Sequence, residues 1–385
     1  MSNPELFQVM EAGSGGSDPW AGYSSVRDSK RPAGWDRMLA ECIDVMTNEK
    51  AEGFFKWAAR VQEAANTASF PLLFADTLDR AMIATYRDAP RTMETLFRVN
   101  RTVPDFRTVK RNRMHGADDR LQRVAELGDY TEIHRSEEEF TYSVKKYGAL
   151  YSVSWEAIIN DNQNILTDQP ERFGRSAAKT EEWYLTQLLF DSNGPNTTYF
   201  EGTGGMTATS TLDLTAENIE TAYHELSTRT GQGDDPGPMA ITPRYLWYSP
   251  HLELTVNKIL QSQLMITGAN ATIPNKNIVS TLGLIPLKIT WAPQIVTGST
   301  ATMKQMWGLF SDESEIPVGE VGFLAGRNDP EIFLKSSNQV SVGGGDINPV
   351  NGDFLNDRVD YKVRHVFGGT TMDPRAGWAS YGHAT

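Results

Sequence analysis

Cysteine is nearly absent. Cys42 is the only one in 385 residues, so no disulfide can form within the chain, which fits a reducing compartment. Long apolar runs are missing too: none approaches the roughly 18 residues that a membrane span needs, and no membrane association is expected. The opening stretch "MSNPELFQVMEAGSGGSDPW" carries no basic patch followed by an apolar block, so it does not read as a secretory signal. Catalytic signatures are also lacking. There is no Walker loop, no Rossmann glycine fingerprint, no H-E-x-x-H helix and no G-x-S-x-G elbow. The histidines, His115, His134, His224, His251, His365 and His383, stand singly, and each reads as a surface or core residue rather than a metal ligand. "SAAK" at Ser176–Lys179 matches the S-x-x-K pattern. It sits among strong helix formers with no K-T-G to follow, so a serine-lysine hydrolase is the least favoured alternative. No catalytic residue, metal or cofactor is assigned.

The chain is long enough for two or three structural units. Its net charge of -13 argues against a surface that grips nucleic acid all over, but suits the wall of a container to which DNA should not adhere. Residues 1–35 are rich in Gly, Ser and Pro and cannot build a core. They read as an extended arm, with Trp20, Tyr23 and Trp35 as spaced anchors. Helical spacing follows over 36–66. A second helix is predicted over 74–90, capped by Asp76 or Thr77 and ended by Pro90.

Charge is sorted unusually after that. Arg98 to Arg123 holds eight basic residues against three acids; Glu126 to Glu139 holds six acids against Arg135 alone. A basic arm followed by an acidic arm predicts a long hairpin. Its charges number more than local pairing needs, so the excess is expected to meet a neighbouring subunit: Arg107, Lys110, Arg111 and Arg113 on one arm, Glu137, Glu138 and Glu139 on the other. In "EEEFTYSVKKYGALYSVSWEAIINDNQNIL", Phe140, Tyr142 and Val144 alternate as in a strand, and helical spacing is expected from Leu150 and Val153 onward. A strand exposed on both sides would invite aggregation unless something covers it.

The stretch 167–194 predicts a helix of about 25 residues, nearly 37 Å long, with Thr167 or Asp168 as cap, Pro170 in the first turn and Gly194 at the stop. Beyond a Gly-rich linker at 202–215, helices are expected over 216–229 and, capped by Ser249 or Pro250, over 250–264. Strands are expected in "MAITPRYLWYSP", "LIPLKITWAPQIV" (buried), "MWGLFSD" (buried), 320–342 and 357–372; "VGGGD" at 342–346 reads as a flexible turn. The mixture predicts an α+β fold.

The order "DTLDRAMIATYRDAPRTMETLFR", "VPDFRTVKRNR", "EEEFTYSVKKYGALYSVSWEAIINDN", "GRSAAKTEE" and finally "DYKVRHVFGGTTMDPRAGWAS" resembles the major capsid proteins of tailed bacteriophages, most closely the Mu-type major head subunits. The resemblance spans roughly residues 70–385. It implies the Hong Kong 97-like capsid fold: 1–69 as N-terminal arm and helices, 103–153 as E-loop, 210–318 as A domain, and 70–102, 154–209 (with the spine helix) and 319–385 as P domain. It further implies pentamers and hexamers closing an icosahedral shell, made in the host cytoplasm, around double-stranded DNA held without sequence specificity. Scaffolding, portal and decoration proteins are further partners consistent with it. An encapsulin-like protein compartment is the alternative within the same fold.

Overall fold

The computed structural model describes residues 70–116, 123–124, 126, 130, 135–154, 165–200, 209–231, 237–265, 275–335 and 353–382. The arm anchors Trp20, Tyr23 and Trp35, the helical spacing at 36–66, most of the hairpin tip and the 342–346 turn lie outside them.

Helix α1 (Phe70–Asp88) leads through a 3-10 turn (Met93–Leu96) into strand β1 (Phe97–Val103). Strands β2 (Val109–Gly116), β3 (Arg135–Tyr142) and β4 (Lys145–Ser154) precede the 25-residue helix α2 (Ile165–Leu189). A tight ribbon of β5 (Phe190–Asp191) and β6 (Gly194–Pro195), the short helix α3 (Thr197–Phe200) and β7 (Thr209–Ser210) follow. Next come α4 (Ala216–Ser227), β8 (Pro243–Tyr248), α5 (Glu253–Gln261), β9 (Leu264–Met265), β10 (Asn275–Lys276) and β11 (Ile285–Lys288). The chain continues with α6 (Ala292–Ile295), α7 (Thr300–Gln305), β12 (Trp307–Ser311), β13 (Gly319–Leu324), β14 (Glu331–Leu334), β15 (Arg358–Thr371) and β16 (Gly377–Ser380). The fold is α+β, as expected.

Contacts divide the chain into two compact units. The larger holds residues 79–151, 160–333 and 361–385. It contains two mixed sheets. One runs β1-β13-β15-β14, with β4 also on β15; the other runs β11-β8-β12-β16-β7. Their shared core is aromatic: Trp247, Trp307, Phe310, Trp378 and Phe200 are all but fully buried, and the Trp307 and Trp378 rings lie 5.1 Å apart. Gly308 belongs to this packing because a β-carbon there would overlap the Trp378 carbonyl and the Trp247 ring. The smaller unit holds 1–78, 152–159 and 334–360. Within it Asp360 accepts from Ser152 Oγ at 2.6 Å and pairs with Arg358 at 3.2 Å and Lys335 at 3.5 Å. These partners, the serine first, hold the Asp360 carboxyl below its usual range.

Helix α2 is the larger unit's spar. Phe173, Ala177, Glu181, Leu185 and Leu189 recur every four residues and are buried, as amphipathic spacing requires. Where it crosses α1 the backbones nearly touch: a β-carbon on Gly174 would overlap the Met82 carbonyl. Its buried acids are satisfied. Glu181 accepts from Tyr86 Oη at 2.5 Å, touches His365 Nε2 through the same oxygen, and lies 3.6 Å from Arg91. Glu182 accepts from the backbone amides of Thr92 and Met93, both at 3.0 Å, closing the first turn of the 3-10 segment. Burial raises the Glu182 carboxyl's pKa. His365 is thus a core residue, while His224 and His251 are exposed.

Several predicted boundaries move. α1 starts at Phe70, so Asp76 and Thr77 lie inside it rather than capping it. α2 starts at Ile165, so Thr167 and Asp168 are interior and Pro170 is the sixth helical residue. Gly194 ends no helix; with φ of 132° it shapes the β5–β6 ribbon, five residues past Leu189. The helix expected at 250–264 begins as a 3-10 turn and ends at Gln261, and Ser249 makes no side-chain cap. In "LIPLKITWAPQIV" only Ile285–Lys288 is strand, and Ile285 is exposed because β11 is a sheet edge. Leu150 and Val153 continue strand β4 instead of starting a helix: pairing with β15 overrides the local spacing. No described helix is long and apolar enough to cross a membrane.

Candidate functional site: the charged hairpin and its root

Strands β2 and β3 pair antiparallel and, among the described residues, with nothing else. The register sets Val109 opposite Tyr142, Arg111 opposite Phe140, Arg113 opposite Glu138 and Met114 opposite Glu137. Because side chains alternate across a strand, this register sorts the charges onto two faces. Arg111, Arg113, Glu138 and Tyr142 are partly or fully buried on one face; Lys110, Asn112, Glu137, Glu139 and Thr141 are exposed on the other.

The buried face is ionic. Arg111 Nε donates to both Glu320 oxygens at 2.9 and 3.0 Å, and Glu320, on β13, is 1% exposed. Tyr142 Oη donates to Glu320 at 2.6 Å and Asn100 Nδ2 donates to it at 3.2 Å. The bond to Glu320 raises the Arg111 pKa; burial, then Glu320, pushes the Tyr142 phenol up to about 12. One turn of the pleat further on, Arg113 pairs with Asp373, which is fully buried. Asp373 also caps the turn at Pro374–Ala376, accepts from the Arg375 amide at 2.9 Å, and receives Arg375 Nε and Nη2 at 2.8 Å each. Burial lowers the pKa of both arginines; their proximity lowers Arg113 further, and the Glu138 charge opposes the shift in each. Three cations, Arg111, Arg113 and Arg375, and three anions, Glu320, Asp373 and Glu138, therefore balance at the hairpin root.

The exposed face is simpler. Lys110 Nζ lies 2.9 Å from Glu139, a surface pair that contributes about 0–1 kcal/mol. Arg107 lies 3.5 Å from Asp105 and is almost wholly exposed. Among the seven charges that the sequence singles out, the structure brings Lys110 to Glu139 and Arg113 beside Glu138. It commits Arg111 and Arg113 to acids of their own chain, Glu320 and Asp373. Those acids, with Tyr142 and Arg375, are the site residues that sequence reasoning missed. Asp-Pro in "TTMDPRAG" is a legible cap, but its ion pair is 260 residues away.

Nothing in this arrangement resembles a reaction centre. Ser176 and Lys179 are both exposed on α2. No group of three or more His, Cys, Asp or Glu among the described residues could hold a metal ion.

The model of the family described as "Phage capsid protein" matches residues 137–380. No curated protein matches the sequence. Solved structures similar to the chain include a capsid of a native GTA particle (12% identity, 76% of this chain and 90% of that chain covered, TM-score 0.48). Others are a chain of Microbacterium phage Oxtober96 (11% identity, 77% and 88% covered, TM-score 0.45) and a virus-like particle from Pyrococcus furiosus (11% identity, 80% and 99% covered, TM-score 0.43).

Proposed function

Since the chain belongs to the phage capsid protein family and is a structural subunit of the icosahedral virion shell, not an enzyme, we propose that its charged hairpin is the element that joins neighbouring copies. The observation that carries this is the sorting of charge by face. A two-stranded ribbon alone is marginally stable. Here one face is fixed by Arg111 and Arg113 to buried acids, and the other, with Lys110, Glu137 and Glu139, is left exposed and polar. That face, with Arg107 at the base, is the surface for a second copy. Exposed charges set register and partner choice more than raw affinity. Small contributions then accumulate because the same contact repeats around a closed assembly.

In this reading pentamers and hexamers close the shell around double-stranded DNA without reading its sequence. The division into E-loop (103–153), A domain (210–318) and P domain follows the Hong Kong 97-like plan, with Mu-type head subunits as the nearest kind. Reversing Glu137→Lys and Glu139→Lys is the test, since Glu138 serves the root and is left alone. Expected are subunits with native circular dichroism that no longer sediment as shells; normal shells would refute the role of this face. The arm is proposed as a second clamp, with Trp20, Tyr23 and Trp35 as its anchors. Deleting residues 1–35 should lower particle melting while leaving subunit folding intact, and unchanged particle melting would count against it. Nucleic-acid absorbance in purified particles separates a genome container from a protein-cargo compartment.

A further inference from the structure

Strand β15 is entered through a turn over residues 353–358. The Asp357 amide donates to the Asp353 carbonyl at 2.9 Å, and the Asp353 amide donates to the Arg358 carbonyl at 3.0 Å. Asp357 takes a left-handed φ of 44°, which Asp tolerates better than most residues. At the base Lys335 lies 3.3 Å from the buried Asp353 and 3.5 Å from Asp360. Backbone bonds and charge thus hold the turn, and Asn356 and Asp357 are residue types that turns favour. Phe354 and Leu355 are not. They stand side by side at the tip, 73% and 80% exposed. Isolated exposed apolar residues are ordinary on a protein surface. Two bulky ones in succession, on a turn fixed at its base, make a preformed knob.

We infer that this knob is an apolar anchor between copies of the chain: Phe354 and Leu355 of one subunit enter a surface groove of a second. The contact uses none of the hairpin charges. The groove has a volume of about 440 Å³ and is lined by Trp183 and Gln187 of α2, Phe190 of β5, and Gln294 and Ile295 of α6. Phe190 is buried in its floor, while the Trp183 side chain is exposed and Ile295 half-buried. Covering an exposed indole and isoleucine with apolar side chains is favourable on both sides of the contact. A second groove of equal volume, on α4, is lined by Glu217, Glu220, His224 and Glu225, and it would set acids against the knob. Chemistry therefore selects the first. The occupant is a second copy because the chain is a shell subunit, set among others that carry the same knob and the same groove. Knob and groove are different patches, so the contact runs head to tail, the kind that closes rings rather than two-fold pairs. A turn already fixed loses little freedom on binding, and a few side chains buried in pockets carry most of an interface's energy.

The test uses the full chain in two forms. In the first, Phe354→Ser/Leu355→Ser, the subunit should keep its native circular dichroism, and the concentration needed for sedimenting shells should rise at least about ten-fold. The defect should persist at high salt, where a contact made of exposed charges is screened. Unchanged assembly overturns the inference. The second form leaves knob and groove intact and marks their edges: Asn356→Cys beside the knob and Ser192→Cys on the groove rim, with Cys42→Ser to remove the native thiol. Assembled particles are treated with a short bismaleimide and run in denaturant. A ladder of joined chains is expected, and each single-cysteine form should stay monomeric. Normal shells that give no ladder, or a link only within one chain, overturn the inference and give the knob to another occupant, residues 1–35 of the same chain or a different protein. The result is separable from the hairpin proposal. If the Glu137→Lys/Glu139→Lys shells are normal while the ladder forms, only the hairpin face fails.

Discussion

Asp373 holds two guanidiniums and a turn at once while excluded from water. Removing its charge leaves Arg113 and Arg375 beside each other with only the Glu138 charge to offset them. Asp373→Asn should therefore cost about 3–5 kcal/mol in urea unfolding of the subunit, the range for breaking one partner of a buried pair. Lys110→Gln, at an exposed pair, should stay within about 0.5 kcal/mol. Equal effects would mean that the hairpin root is not the anchor described. Single residues were also where sequence reading reached its limit. The excess of basic residues over local acid at 107–113, Arg107, Lys110, Arg111 and Arg113, was visible, and it pointed outward. Half of it points inward, because Glu320 is 209 residues away from Arg111 and appears in sequence only as one acid within an apolar strand. No spacing rule reaches such a partner.

Elements were easier to read than their ends. The hairpin followed from its two oppositely charged arms, and α2 from apolar recurrence over seven turns, at its full predicted length. Their boundaries moved because capping residues compete with packing: Thr167 and Asp168 could have begun a helix, but the chain is already helical at Ile165. β4 was misread at Leu150 because a strand needs only a partner, and β15 supplies one. The crossing of α1 and α2 carries its own prediction. Gly174→Ala improves helix propensity, yet its methyl would press on the Met82 carbonyl and on the Tyr86 amide. The variant should lose about 1–3 kcal/mol, read as a lowered melting temperature. A gain in stability would show that the helices can part without cost.

For the whole molecule, the acidic balance, the single cysteine and the lack of catalytic motifs excluded classes without naming one. The segment order supplied the class, and membership of the capsid family fits a body with no reaction centre among its described residues and an ionic hairpin at one site. The seven predicted contact charges divide between a role inside the subunit and a role on its surface, and the second role is the central proposal. The most direct measurement is a cryo-electron reconstruction of the assembled particle, read at the exposed face of β2 and β3. The account predicts density from a second copy against Lys110, Glu137 and Glu139, with Arg111 still on Glu320 and Arg113 still on Asp373 of the same chain. A bare face in every quasi-equivalent position, or arginines transferred to acids of a neighbour, would contradict it.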